Sequence, residues 1–366
     1  MDRQREIDEI ITRIKFQTQS SAVSGDSGLG KTALLRYLAH PRTLKKYQLP
    51  GEEFKCIYFR CPDVRERPQY APIQFWQEIF SRLARQITDA ELVEQIRGFQ
   101  SLPAFDYYAV EEFFYGAKRK HLSIVLLLDD FDNLLSNAAF DKYFLWSLKN
   151  LAHNNVDYSF GLVIVTLQRL SELCQDLGMT SPFFNIFSSL PLAPLPAAES
   201  GTLLQNMCRV QGRKVAADHK EQEQAYKLAA GIPLMIRLLG QTCRDTSTLA
   251  QLVSGQRKPV WRAGHRQILR RFVQRVWVCS GAGEKQLLQY LAKAWHENKG
   301  SRLNHEQEET IMQHHTRAWQ ALEKRGLMQQ MNSVFSLFPD LFAEFVLKET
   351  FVVAPSGAGR LVQHGG

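Results

Sequence analysis

A chain of 366 residues with a net charge of +8 has room for two or three domains, and its 45% hydrophobic and 22% charged content excludes a disordered or fibrous chain. No run of about 18 apolar residues occurs, which excludes a membrane-spanning helix; the polar N-terminus, Met1-Asp2-Arg3-Gln4-Arg5-Glu6-Ile7, has no apolar signal core, so a cytoplasmic address is expected. The basic balance permits nucleic acid or another acidic partner without requiring one.

In chain order, Ile7, Ile10, Ile11 and Ile14 fall at helical spacing and predict a helix over 2–14. A short strand is expected over 20–24, although only Ala22 and Val23 are apolar, then a helix over 32–39 stopped before Pro41. A strand over 55–61 and a helix over 74–86 follow. The continuous apolar runs 122–128 and 160–166 read as central parallel strands, and 189–192 as a last short one. Alternating strands and helices imply an α/β fold, a parallel sheet with helices on both faces.

After Pro194 the strand signals stop. Three or four short helices are expected over 197–255, broken at Gly212 and Gly231, then helices near 262–277, 284–297 and 314–325. A hairpin should close this region, with strands 327–331 and 334–338 and a turn at Asn332-Ser333; Gly326 stands where a helix C-terminus calls for a left-handed residue. Three helices and a hairpin outline a winged helix. The expected domains are 1–196, 197–255 (a helical lid) and 256–350 (the winged helix), with a disordered Gly-rich tail over 351–366. The six cysteines, Cys56, Cys61, Cys174, Cys208, Cys243 and Cys279, lack C-x-x-C spacing and are expected to be buried and reduced.

Chemistry concentrates at Gly25-Asp26-Ser27-Gly28-Leu29-Gly30-Lys31-Thr32, which fits G-x-x-x-x-G-K-[ST] between a strand and an amphipathic helix. Such a loop curls its backbone N–H groups around phosphate oxygens, with the positive end of the helix behind them. The candidate nucleotide contacts run from Gly25 to Ala33. Lys31 would sit against the β- and γ-phosphates, and the Thr32 hydroxyl would ligate Mg²⁺. A second acid for the metal is expected at the C-terminal end of a buried strand. Ile124 to Leu128 is followed by Asp129, for Mg²⁺, and Asp130, to orient or deprotonate the attacking water. Asp132 reads as a helix N-cap or surface residue. At the end of the 160–166 strand, Thr166 is a candidate γ-phosphate sensor and Arg169 a candidate cation for the same group; a capped strand end with a surface arginine is the alternative.

These features together resemble a STAND-type ATPase, the signal-transduction branch near the AAA+ group. Beyond the phosphate loop, the resemblance rests on Arg3-Gln4-Arg5-Glu6-Ile7, on Leu128-Asp129-Asp130, on Gly231-Ile232-Pro233, and on the aromatic segment 335–346. It spans about 3–350. It implies that Arg3 lies near the adenine end and that Pro233 packs near the base. It further implies that ATP or ADP with Mg²⁺ sets domain docking and self-assembly into a homo-oligomer. The family's Thr-x-Arg is here Thr166-x-x-Arg169, one residue longer. A rival reading is a DNA-binding ATPase: Arg262, Arg266 and Arg270 line one helical face beside Arg257, Lys258, Arg271 and Arg275.

Overall fold

The computed structural model describes residues 3–17, 19–154, 157–176, 182–210, 219–242, 251, 261–298, 303–329, 332, 333, 335 and 342–347. The tail over 351–366, Gly212, Arg257, Lys258 and most of the expected strand 334–338 lie outside them. The chain divides into two compact units, Met1–Ala193 and Pro194–Gly366.

The first unit opens with helix α1 (Gln4–Gln17), whose four isoleucines are all buried. Strands β1 (Ser20–Ser24), β2 (Phe54–Arg60), β3 (Ser123–Asp129), β4 (Phe160–Thr166) and β5 (Phe187–Pro191) form one parallel sheet in the order β2-β3-β4-β1-β5. The connecting helices are α2 (Lys31–Leu38), α3 (Pro41–Lys46), α4 (Pro72–Ala84), α5 (Ala90–Gln100), α6 (Tyr107–Arg119), α7 (Asp132–Leu135), α8 (Lys142–His153) and α9 (Leu170–Asp176). β3 and β4 are buried almost end to end, as continuous apolar runs require in a sheet covered on both faces.

The polar strand β1 is also wholly buried, between β4 and β5. Its Ser20 hydroxyl accepts the Leu162 N–H at 3.1 Å, so one serine is satisfied by the backbone rather than by water. On one side of the sheet, Trp76, Phe80, Phe114 and Phe160 pack edge to face or tilted, with centroid separations of 4.6–6.5 Å. Because all five strands run parallel, their C-terminal ends share one edge of the sheet, where open α/β sheets bind ligands.

The second unit contains helices α10 (Ala197–Val210), α11 (His219–Ala229), α12 (Pro233–Thr242), α13 (Ala263–Val278), α14 (Ala282–Glu297), α15 (His305–His314) and α16 (Thr316–Lys324). Two corrections to the sequence reading arise here. An additional helix, α15, precedes α16, so among the described residues of 256–350 four helices lead to the hairpin; its Asn304 side chain caps it by accepting the Gln307 N–H. The hairpin pairs β6 (Met328–Gln329) with β7 (Asn332–Ser333), Gln329 opposite Asn332, so Asn332-Ser333 is strand and not turn. Gly326, at φ +75°, ends α16 as expected: its N–H reaches the Glu323 carbonyl and that of Leu327 reaches Leu322, a Schellman closure. The basic helix α13 buries Leu269, Phe272, Val273 and Val276 and exposes Arg266, Arg270 and Arg271; it contains no acidic residue. Cys56, Cys61 and Cys174 are buried, whereas Cys279 is partly exposed, against expectation.

Candidate functional site

The loop after β1 is built by its glycines. Gly25, Gly28 and Gly30 take φ of +149°, +84° and +93°, and a Cβ at Gly25 would lie 2.9 Å from the Leu192 carbonyl oxygen. Side chains are thereby excluded at turns where the backbone must curl inward. The Lys31 ammonium, largely buried, donates to the Gly25 carbonyl at 2.5 Å and the Asp26 carbonyl at 2.8 Å, so it reaches back across the loop it follows. Thr32 lies partly exposed in the first turn of α2, and Ala33 is exposed; Asp26, Ser27 and Leu29 are buried.

Arg3 is neither a surface residue nor on the first helix. It precedes α1 with φ +99° and is buried. Its guanidinium donates to the carbonyls of Leu29, at 3.2 Å, and Ala193, at 2.5 Å, and pairs with Glu6 at 3.4 Å. Within the first unit it fastens the phosphate loop to the segment leaving β5.

The tip of β3 carries the acids. Asp129 is 1% exposed; Tyr58 on β2 donates its phenol to Asp129 Oδ2 at 2.9 Å, and the Asp130 N–H donates to Asp129 Oδ1 at 3.1 Å. Burial first, and then the neighbouring Asp129 charge, raise the Tyr58 phenol above its ordinary pKa, so it remains a donor. Asp130 adopts a left-handed backbone, φ +53°, which Asp tolerates better than most residues. Its Oδ2 accepts from Arg60 Nε at 2.9 Å.

Asp132 overturns its sequence reading. The N-cap of α7 is Phe131, and Asp132 is its first residue. Its carboxylate is partly buried and accepts the Leu167 N–H with both oxygens, at 3.0 and 3.1 Å. Desolvation pushes its pKa up to about 6, against the pull of that hydrogen bond and of Lys31.

At the end of β4, Thr166 is fully buried and pairs with Ser24, the last residue of β1 before the phosphate loop. Its hydroxyl donates to the Gln168 carbonyl at 2.6 Å, closing the turn beyond the strand. Arg169 is exposed at the entry to α9, its carbonyl accepting the Leu173 N–H. Pro233 belongs to the second unit, at the first position of α12, behind Gly231 at φ +68°.

The sheet edge thus gathers the phosphate loop, Asp129, Asp130, Thr166 and Arg169. It also brings in Tyr58 and Arg60, to which the sequence assigns no role, and Asp132, which it assigns to a cap or the surface. Arg60 carried a usable signal, since it ends a strand at the ligand-binding edge of a parallel sheet. Tyr58 did not, because its value comes from register: Arg60 lies opposite Asp129, which brings Tyr58 within reach of the same carboxylate. Among the described residues no three His, Cys, Asp or Glu side chains converge as a metal cage. The donor set of Thr32 and Asp129 fits a hard cation that takes its remaining ligands from phosphate and water, as Mg²⁺ does.

Residues 14–174 match the model of the AAA domain family. Among solved structures, the Aeropyrum pernix ORC2 protein in its ADPNP–ADP complexes is similar to this chain with a TM-score of 0.57 at 14% identity, over 95% of this chain and 93% of that one. The Walker-type ATPase PABY2304 of Pyrococcus abyssi gives 0.53 at 13% identity, over 93% of this chain and 95% of that one. No curated protein matches the chain in sequence. Loop, sheet order and family match together define a P-loop protein of AAA+-like fold.

Proposed function

We propose that the protein binds ATP with Mg²⁺ and hydrolyses it slowly, as a switch of STAND type whose nucleotide state controls domain docking and self-assembly. The observation that carries this reading is the glycine-built loop with Lys31 folded over it, beside the buried Asp129. The similar ORC2 structure contains ADPNP and ADP, which supports a nucleotide as the ligand. In this proposal Gly25 to Ala33 cradle the phosphates, Thr32 and Asp129 hold the metal, and Asp130 is the base. Thr166 and Arg169 face the γ-phosphate. Arg3 acts through its hold on the Leu29 carbonyl rather than by touching the base. Residues 197–255 serve as a lid with Pro233 near adenine, and 256–350 as a winged-helix latch. Slow turnover follows from the short arm of Asp130, already engaged by Arg60.

Fluorescent ADP and ATP analogues test the binding, with Lys31→Ala as the control. Loss of the cation that meets the β- and γ-phosphates should abolish tight binding. Small-angle scattering with ADP and with a non-hydrolysable ATP analogue tests the switch. Identical shape and mass in the two states count against it.

A second reading, a DNA-binding ATPase, is favoured by α13, with four arginines and no acid. It requires duplex or single-stranded DNA to bind at about 50 mM salt and to be released steeply as salt rises.

A further inference from the structure

Beyond the strand ends, two side chains of α7 continue the sheet's ladder. Asn133 donates from Nδ2 to the Cys61 carbonyl at 3.0 Å, on the β2 side. Asp132 takes the Leu167 N–H between its two oxygens, on the β4 side. Between them, the Phe131 N–H donates to the Val165 carbonyl at 2.9 Å. Three consecutive residues therefore bind the tips of β2, β3 and β4 to one another where Arg60, Asp129 and Thr166 project.

The Asp132 connection is the exacting one. Leu167 directly follows Thr166, and the turn it begins is closed by the Thr166 hydroxyl on Gln168 and ends at Arg169. A partly buried N–H at that point requires an acceptor. The strand has ended, so a side chain must supply it. A carboxylate is a costly acceptor here, because burial disfavours its charge; Lys31 lies close enough to offset part of that cost, and Asp130 adds to it. An Asn would accept the same N–H without a buried charge.

We propose that Asp132 is a positioning residue of this site: by gripping the Leu167 N–H it fixes the Thr166–Arg169 turn at the γ-phosphate end of a bound nucleotide, so that its loss slows turnover and spares ADP binding. The inference rests on the reading of the site as a nucleoside triphosphatase. ADP lacks the phosphate that this turn faces, whereas transition-state placement is sensitive to displacements of about 1 Å.

The test uses the full chain and three variants, with single-turnover ATP hydrolysis, fluorescent-ADP titration and thermal melting on each. Asp132→Ala removes the acceptor and should lower the hydrolysis rate about tenfold or more while ADP affinity stays within about twofold. Asp132→Asn keeps an oxygen at the same reach and should stay within about threefold of the wild-type rate. Asp132→Glu keeps the charge but moves the oxygens by one methylene. It should be slowed like the Ala variant, and it carries the test if Asp132→Ala fails to fold. Wild-type rates in both the Ala and Glu variants overturn the proposal. So does a parallel fall in ADP affinity and melting temperature, which marks a structural residue, and so does an Asn variant as slow as Ala, which makes the charge itself the requirement. A wild-type protein that neither binds ADP nor hydrolyses ATP removes the triphosphatase reading, and this inference with it.

Discussion

Arg60 Nε donates to Asp130 Oδ2 at 2.9 Å across the tips of adjacent strands, joining an arginine side chain that is 57% exposed to a carboxylate that is 14% exposed. An ion pair so open on one side contributes at most about 1 kcal/mol to stability. Its effect is local: it occupies one oxygen of the carboxylate proposed as the base and restrains its direction. Arg60→Ala should therefore leave the melting temperature within about 2–3 °C and raise single-turnover hydrolysis by about two- to fivefold. Asp130→Asn should bind nucleotide and lose hydrolysis by about 100-fold. A slower Arg60→Ala protein with unchanged binding would show that the guanidinium serves the reaction directly, and the restraint would then be the wrong account.

Much of this arrangement was legible in the sequence because it is local. The phosphate loop is eight contiguous residues that call for a strand before them, and β3 and β4 announce themselves as apolar runs, so β1, β3, β4 and the chain positions of Lys31, Asp129 and Asp130 are local signals. Contacts made by register or by loop closure were not legible. Tyr58 reaches Asp129 only because β2 pairs with β3 in one register. Asp132 was read as a cap because a helix does begin there, yet its side chain turns to the neighbouring strand rather than to its own first turn. Asn332-Ser333 reads as a turn because it carries turn chemistry, which strand pairing overrides. For Arg3 the resemblance implies a place near adenine, but not the left-handed backbone before α1 that turns its side chain inward onto the Leu29 and Ala193 carbonyls.

The Tyr58 phenol donates to Asp129 Oδ2, opposite the Asp130 N–H on Oδ1, and so helps to orient the carboxylate. If Asp129 holds Mg²⁺, supporting hydrogen bonds of this kind contribute about 10- to 100-fold to metal affinity. Tyr58→Phe should then weaken the Mg²⁺ dependence of ATP-analogue binding about tenfold, with little change in binding measured in EDTA. Magnesium titrations at fixed analogue concentration read this directly. An unchanged magnesium midpoint would separate Asp129 from the metal, or Tyr58 from Asp129's orientation.

Asp132 also predicts a pH dependence. Its pKa in the folded protein is raised from 3.8 to about 6 by burial. The folded state therefore favours the protonated form, and the associated stability is present below about pH 4 and lost as pH rises through about 6. The change is on the order of 2–3 kcal/mol before any relaxation of the site. Asp132→Asn cannot ionise, so its stability between pH 4 and 6.5 should decline less than that of the wild type. Urea unfolding of the nucleotide-free protein in EDTA across this range measures it. Parallel pH profiles for the two proteins would show that the carboxylate titrates as it does in the unfolded chain.

Arg169 is a further cation at the ligand-binding edge. The turn after β4 is one residue longer than the Thr-x-Arg pattern, and Arg169 sits exposed at the entry to α9 with its carbonyl engaged by Leu173. An arginine that meets the γ-phosphate in the transition state can contribute as much as about 10³–10⁵ in rate; an exposed one that must swing into place first should contribute far less. Arg169→Ala is expected to slow single-turnover hydrolysis about tenfold while ADP affinity stays unchanged, because ADP lacks the phosphate it would meet. Loss of ADP binding in this variant would point instead to a brace for the sheet edge. No change in either measurement would mark a solvent-facing residue, and attention would pass to Arg60, whose guanidinium is already held at this edge by Asp130.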